Sequence, residues 1–123
     1  MNGLDLTALR AADGYHYLAS PYSKYPHGLD AAFVEASKAA AMLVQAGIKV
    51  FCPIAHSHPI AEHGRIDARD HEIWLPADAP LMQAASGLIV CQMETWEDSY
   101  GISVEIEAFE AAGKPIHFMT WPR

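Results

Sequence analysis

Cysteine is scarce, basic residues are few, and no long apolar run interrupts the chain. Only Cys52 and Cys91 occur among 123 residues, each inside a short apolar run, Val50-Phe51-Cys52-Pro53 and Leu88-Ile89-Val90-Cys91. That excludes a disulfide framework and any CxxC redox or zinc motif, and leaves two buried, reduced thiols as the expectation. Eight Lys and Arg stand against 15 Asp and Glu, a formal net charge of −7. Such a balance repels a phosphate polymer and an anionic membrane alike, so neither a nucleic acid nor a membrane is the expected partner. No stretch approaches the roughly 18 apolar residues of a membrane span. The polar segment Met1 to Leu9 lacks the basic-then-apolar order of a signal peptide, so a cytoplasmic location is expected. Charged residues make up only 19% of the chain, below the roughly 25% usual for soluble domains. A second subunit covering part of the surface, in a homo-oligomer of at least two copies, is the reading that follows.

What is present is an alternation of short apolar segments with helical patterns. Tyr15–Ala19, Ile48–Cys52, Gly87–Cys91 and Pro115–Met119 read as strands covered on both faces. Between the first two, Phe33, Ala36, Ala40, Leu43 and Val44 recur at helical spacing, with Asp30 as N-cap and Gly47 as terminator. A second helical region spans about Asp67 to Ser86, interrupted or bent at Pro76 and Pro80, and a third follows Ser99-Tyr100-Gly101 and stops at Gly113. The pattern predicts a single α/β domain over residues 14–123, preceded by a loosely held leader, residues 1–13. Its core would be a doubly wound, flavodoxin- or Rossmann-like parallel sheet of four to five strands with helices on both faces. In such sheets ligands bind beyond the carboxyl ends of the strands. The loops to inspect are therefore Ser20-Pro21-Tyr22-Ser23-Lys24-Tyr25, Ile54-Ala55-His56-Ser57-His58-Pro59 and Glu94 to Gly101.

Glu105 carries the sharpest chemical signal. At about 100° per residue, Ile102, Ile106 and Phe109 form one stripe of the last helix, and Glu105 falls within it while Glu107 and Glu110 point away. Gly101, one turn earlier on the same face, leaves space above the carboxyl for a ligand. A carboxylate nucleophile or base, kept ionised in part by the helix N-terminus, is the functional reading, and an ion-paired edge residue is the structural one. Asp98 and Ser99 either cap that helix or bind ligand, and Asp78, in Asp78-Ala79-Pro80, has the same two readings. His56, His58, His63 and His71, with Asp67 and Asp70, are the densest group of metal-ligand types. Their spacing fits no structural zinc pattern, so no metal is expected, and His58 reads as a hydrogen bonder lining the pocket. His16 and His117, in strands, read as core or interface residues. Among the aromatic residues, Trp96 and Tyr100 sit between polar neighbours and are the candidates to stack on a flat ligand, whereas Tyr17, Tyr25 and Trp74 fit a core role.

Tyr17-Leu18-Ala19-Ser20-Pro21-Tyr22-Ser23, Gly101-x-x-x-Glu105 and Gly113-Lys114-Pro115 together resemble the nucleoside 2-deoxyribosyltransferase-like superfamily, over residues 15 to about 120. His56–Ile60 and Thr95–Glu105 look closest to a branch of short bacterial proteins in it. The resemblance implies a flavodoxin-like domain that cleaves the N-glycosidic bond of a nucleoside or nucleoside 5′-monophosphate, with Glu105 attacking the anomeric carbon and no cofactor. Similarity to deoxynucleoside monophosphate N-glycosidases places Asp78 and Ser99 at the site. The serine at 99, where the transferases carry an aspartate, favours hydrolysis over base exchange. Asp78, Asp98 or a water would then protonate the departing base. Tyr17, Ser20, Pro21, Tyr22, Ser23, His56, His58, Trp96, Ser99 and Gly101 complete the expected substrate-binding set. A nucleotide-binding module without catalysis and a metal hydrolase built on His56 and His58 are the readings from other classes.

Overall fold

The computed structural model describes residues 2–122. Four strands form one all-parallel sheet in the order β2-β1-β3-β4: β1 (His16–Ala19), β2 (Val50–Phe51), β3 (Gly87–Gln92) and β4 (Ile116–Thr120). Five helices accompany them: α1 (Leu6–Ala11), α2 (Leu29–Gln45), α3 (Pro53–Gly64), α4 (His71–Ala84) and α5 (Tyr100–Ala111). The doubly wound α/β architecture expected from the alternating pattern is the one the chain adopts, with four strands.

Strand periodicity divides the core. Leu18, Ile89, Cys91 and Met119 point to one face, where Ala36, Ala39 and Leu43 of α2 and Leu9 of α1 cover them. Tyr17, Ala19, Leu88 and Val90 point to the other, against Ile102 and Phe109 of α5 and Leu81 and Met82 of α4. The alanines of α2 let the helix approach the sheet closely, and Gly47, at φ +83°, turns the chain after it. Both thiols are free and buried, and burial pushes the Cys91 thiol up to about 12. His16 lies buried in β1, its ring 5.5 Å from that of His117 in β4.

Three local expectations are corrected. Residues 2–13 are no loose leader: Asp5 caps α1, Leu4 and Leu9 are buried, and Asn2 exchanges hydrogen bonds with Thr120. The apolar leucines of this segment close one end of the core, which a leader free in solvent would leave open. The N-cap of α2 is Gly28, so Asp30 lies inside the first turn with its carboxylate free to reach another element. The segment after β2 is not an extended loop but α3, opened by Pro53 at its first turn.

Candidate active site

A cleft of about 130 Å³ opens beyond the carboxyl ends of β1 and β2. It collects residues from every crossover. The loop after β1 supplies Ser20, Tyr22, Ser23 and Lys24; the first turns of α3 supply Pro53, Ile54 and Ser57; α4 supplies His71, Trp74, Leu75 and Asp78; and the start of α5 supplies Ser99, Tyr100, Gly101 and Glu105. The sheet reverses its winding between β1 and β3, and ligands of doubly wound domains bind at such a reversal.

Glu105 is only 9% exposed and lies on the buried arc of α5 with Ile102 and Phe109, whereas Glu107 and Glu110 face solvent. Burial pushes its carboxyl up to about 8, the neighbouring Tyr17 phenol partly counteracting that and the nearby Asp78 charge adding to it. Desolvation thus makes Glu105 hold its proton more tightly than an ordinary glutamate, opposite in direction to the ionising influence expected from the helix N-terminus. Asp78 is also raised by desolvation, to about 6, with His56 acting in the opposite direction. The two carboxyl groups thus hold their protons with different strength, the condition under which one can act as acid and the other as base.

Hydroxyl groups complete the floor. Ser20 Oγ is buried and has no hydrogen-bond partner within the described residues. An unmet buried hydroxyl costs roughly 1–3 kcal/mol, a penalty that a polar ligand group in the cleft would relieve. Ser99 caps α5 by accepting from the Ile102 amide, so its capping reading holds, and it also lines the cleft with its own proton still free to donate. A Cβ placed on Gly101 would meet nothing nearer than Ser99 Oγ at 3.9 Å, because the space over it is the cleft itself.

Of the residues read from the sequence, Glu105, Asp78, Ser20, Tyr22, Ser23, Ser99 and Gly101 come together in this cleft. Tyr17 is buried near Glu105, and Pro21 is buried in the same loop as Ser20; neither is part of the cleft lining. Four others are placed elsewhere. Asp98 is exposed in a short helical turn before α5, away from the lining. Trp96, in the same turn, packs on Phe118 at 5.8 Å between ring centroids. His56 is exposed on α3 beside Phe51 and is felt by Asp78 only through its charge. His58 points away from the cleft: two residues apart on a helix, the rings diverge by about 200°, whereas an extended segment would have aligned them.

Trp74, which reads from the sequence as core, and His71, which reads as part of a metal-ligand group, are cleft residues, as is Leu75. Their signal was available in the spacing: His71, Trp74, Leu75 and Asp78 recur at i, i+3, i+4 and i+7 along one stripe of α4. The capping reading of Asp78 fails for the same reason, since Asp70 caps α4 and Asp78 sits mid-helix.

A doubly wound domain whose strand-end cleft holds a buried glutamate beside a half-buried aspartate is the class that fold and site define. The chain belongs to the family described as Domain of unknown function (DUF1937), which matches residues 14–121. No curated protein matches the chain.

Proposed function

We propose that the protein is an N-glycosidase that hydrolyses a nucleoside or nucleoside 5′-monophosphate, with Glu105 as the nucleophile. The observation that carries this reading is a buried carboxyl at the floor of a strand-end cleft, facing a second carboxyl from another element and overhung by an open glycine. In the ionised state Glu105 attacks the anomeric carbon, the bond to the base breaks through an oxocarbenium-like transition state, and a proton from Asp78 or a water leaves with the base. Water then opens the glycosyl ester, with Asp78 accepting its proton. Trp74 and Tyr100 offer aromatic faces to a base, while Ser20, Ser23 and Lys24 offer donors to a sugar or a 5′-phosphate. Base exchange is the same chemistry with a second base in place of water.

The order of the two pKa values favours a second assignment, in which Asp78 is the anion and Glu105 the acid. Both assignments need one proton on the pair, so both give a kcat/KM that peaks between about 6 and about 8, and pH alone does not separate them. A covalent label does. Purified protein is incubated with a panel of nucleosides and 5′-monophosphates, free base is measured by chromatography, and a substrate with slow deglycosylation is used to trap the sugar ester for peptide mass mapping. The label is expected on Glu105, and Glu105→Gln is expected to lose about a thousandfold in turnover, roughly 4 kcal/mol of transition-state stabilisation. A label on Asp78 reverses the roles. Release of no base by the wild type, or a Glu105→Gln enzyme within about tenfold of it, overturns the nucleophile assignment.

A further inference from the structure

Behind the cleft, on the opposite side of Tyr22, three side chains converge that the proposed chemistry does not use. His58 is buried on α3, its ring stacked on Phe33 of α2 at 4.5 Å and an interplanar angle of 21°, so its direction is fixed. Its Nε2 lies 2.9 Å from Asp30 Oδ1, from the first turn of α2, and 3.9 Å from Glu62 Oε2, one turn further along α3. The three ligand atoms all lie within 4.8 Å of one another. They edge a cavity of about 340 Å³, and both carboxylates are open to solvent. Among the described residues no lysine or arginine pairs with either carboxylate. Two anions therefore face one ring nitrogen, which carries at most a single hydrogen.

We propose that Asp30, His58 and Glu62 bind a divalent transition-metal ion, zinc or a close relative, that joins α2 to α3. Three features carry the assignment. One imidazole and two carboxylates supply one nitrogen and two oxygens, a donor set that suits zinc and that magnesium and calcium, which take oxygen, do not prefer. The i, i+4 spacing of His58 and Glu62 places two ligands on one helix face, and the third comes from a neighbouring helix, with cavity space left for water. The far nitrogen, Nδ1, is held 2.6 Å from the Tyr22 hydroxyl, the kind of outer contact that fixes the ring tautomer of a metal-bound histidine.

That outer contact gives the ion a consequence in the cleft, because Tyr22 is one of the cleft residues. Without metal, neutral His58 can donate from Nε2 to Asp30 and accept the Tyr22 proton at Nδ1. With metal on Nε2 the ring hydrogen resides on Nδ1 and is donated to the Tyr22 oxygen. The ring stays neutral and Tyr22 keeps its proton, which is then released to point at a ligand in the cleft. The ion is thus a positioning device for Tyr22 and takes no part in bond cleavage.

The test titrates zinc chloride into chelator-treated full-length protein by calorimetry, with magnesium chloride as control. One equivalent is expected to bind with a Kd of about 10 µM or lower, and the double variant Asp30→Asn with Glu62→Gln, altered only at exposed carboxylates, is expected to bind at least about tenfold more weakly. Nitrogen-15 spectra of the His58 ring are expected to change from the Nε2–H to the Nδ1–H tautomer on zinc addition. No saturable zinc binding, binding that the double variant leaves intact, or equal affinity for magnesium overturns the site. Zinc binding without the change of tautomer overturns the link to Tyr22.

Discussion

Glu105 and Asp78 differ in how visible they are before folding. Glu105 is legible because a charge placed on the apolar arc of an amphipathic helix contradicts the pattern around it, and its burial in the structure agrees with that reading. Asp78 is legible only through the family resemblance and not from the local pattern, because two prolines two residues to either side suggest a helix boundary where the chain in fact continues through Pro76 and Pro80. Tyr17, expected among the substrate-binding residues, is buried near the Glu105 carboxyl and is not part of the cleft lining, and its phenol favours the Glu105 anion. Tyr17→Phe removes that phenol while leaving the burial that raises the carboxyl. The Glu105 titration, followed by carbon-13 NMR of its carboxyl carbon, is therefore expected to move above its value of about 8. If it stays or falls, the phenol is not what holds the carboxyl down.

At the scale of elements, strands were more legible than helices. The four apolar runs became the four strands to within two residues at either end, although only the central β1 and β3 are buried on both faces and the edge strands β2 and β4 are partly exposed. The helix α3 was missed because Pro53, three histidines, Pro59 and Gly64 read as a loop, yet a proline in the first turn costs a helix no hydrogen bond. Its concealment carried His58 with it. Once the segment is helical, the ring that looked ready to line the cleft turns toward α2. Helix α5 invites a direct check, because Ser99 both caps it and lines the cleft. Ser99→Ala should lose about 1 kcal/mol of stability through the orphaned amide at Ile102, whereas Ser99→Asp, which retains a capping oxygen, should lose far less. Urea midpoints at unchanged m-value would measure both. Equal losses in the two variants would show that the cap is not what Ser99 contributes.

For the whole molecule, the buried carboxyls tie folding to pH. Glu105 has a folded pKa of about 8 against an ordinary value of 4.5, and Asp78 about 6 against 3.8. The folded state therefore binds more protons than the unfolded one across these windows, and stability falls as pH rises through them. Each contribution is complete below the unfolded pKa and lost once the pH has passed the folded one. His16 works in the opposite sense: burial and the neighbouring His117 lower its pKa, so its contribution is present at high pH and lost as pH falls below its ordinary 6.5. The net curve mixes these trends, and a variant isolates one of them. Glu105→Gln keeps the volume and a polar end but has no charge to desolvate, so wild type and variant should be close in stability near pH 4.5 and diverge up to pH 8. Above that, the variant should be the more stable by more than about 1.4 kcal/mol, the worth of one pKa unit. Chemical denaturation at pH 5 and pH 9 provides the comparison. The same substitution that abolishes the proposed chemistry would then strengthen the fold, the mark of a carboxyl kept in an apolar floor at the expense of stability. Equal stability at pH 9 would mean that Glu105 ionises there without penalty, and the desolvated carboxyl on which the proposed mechanism depends would be absent.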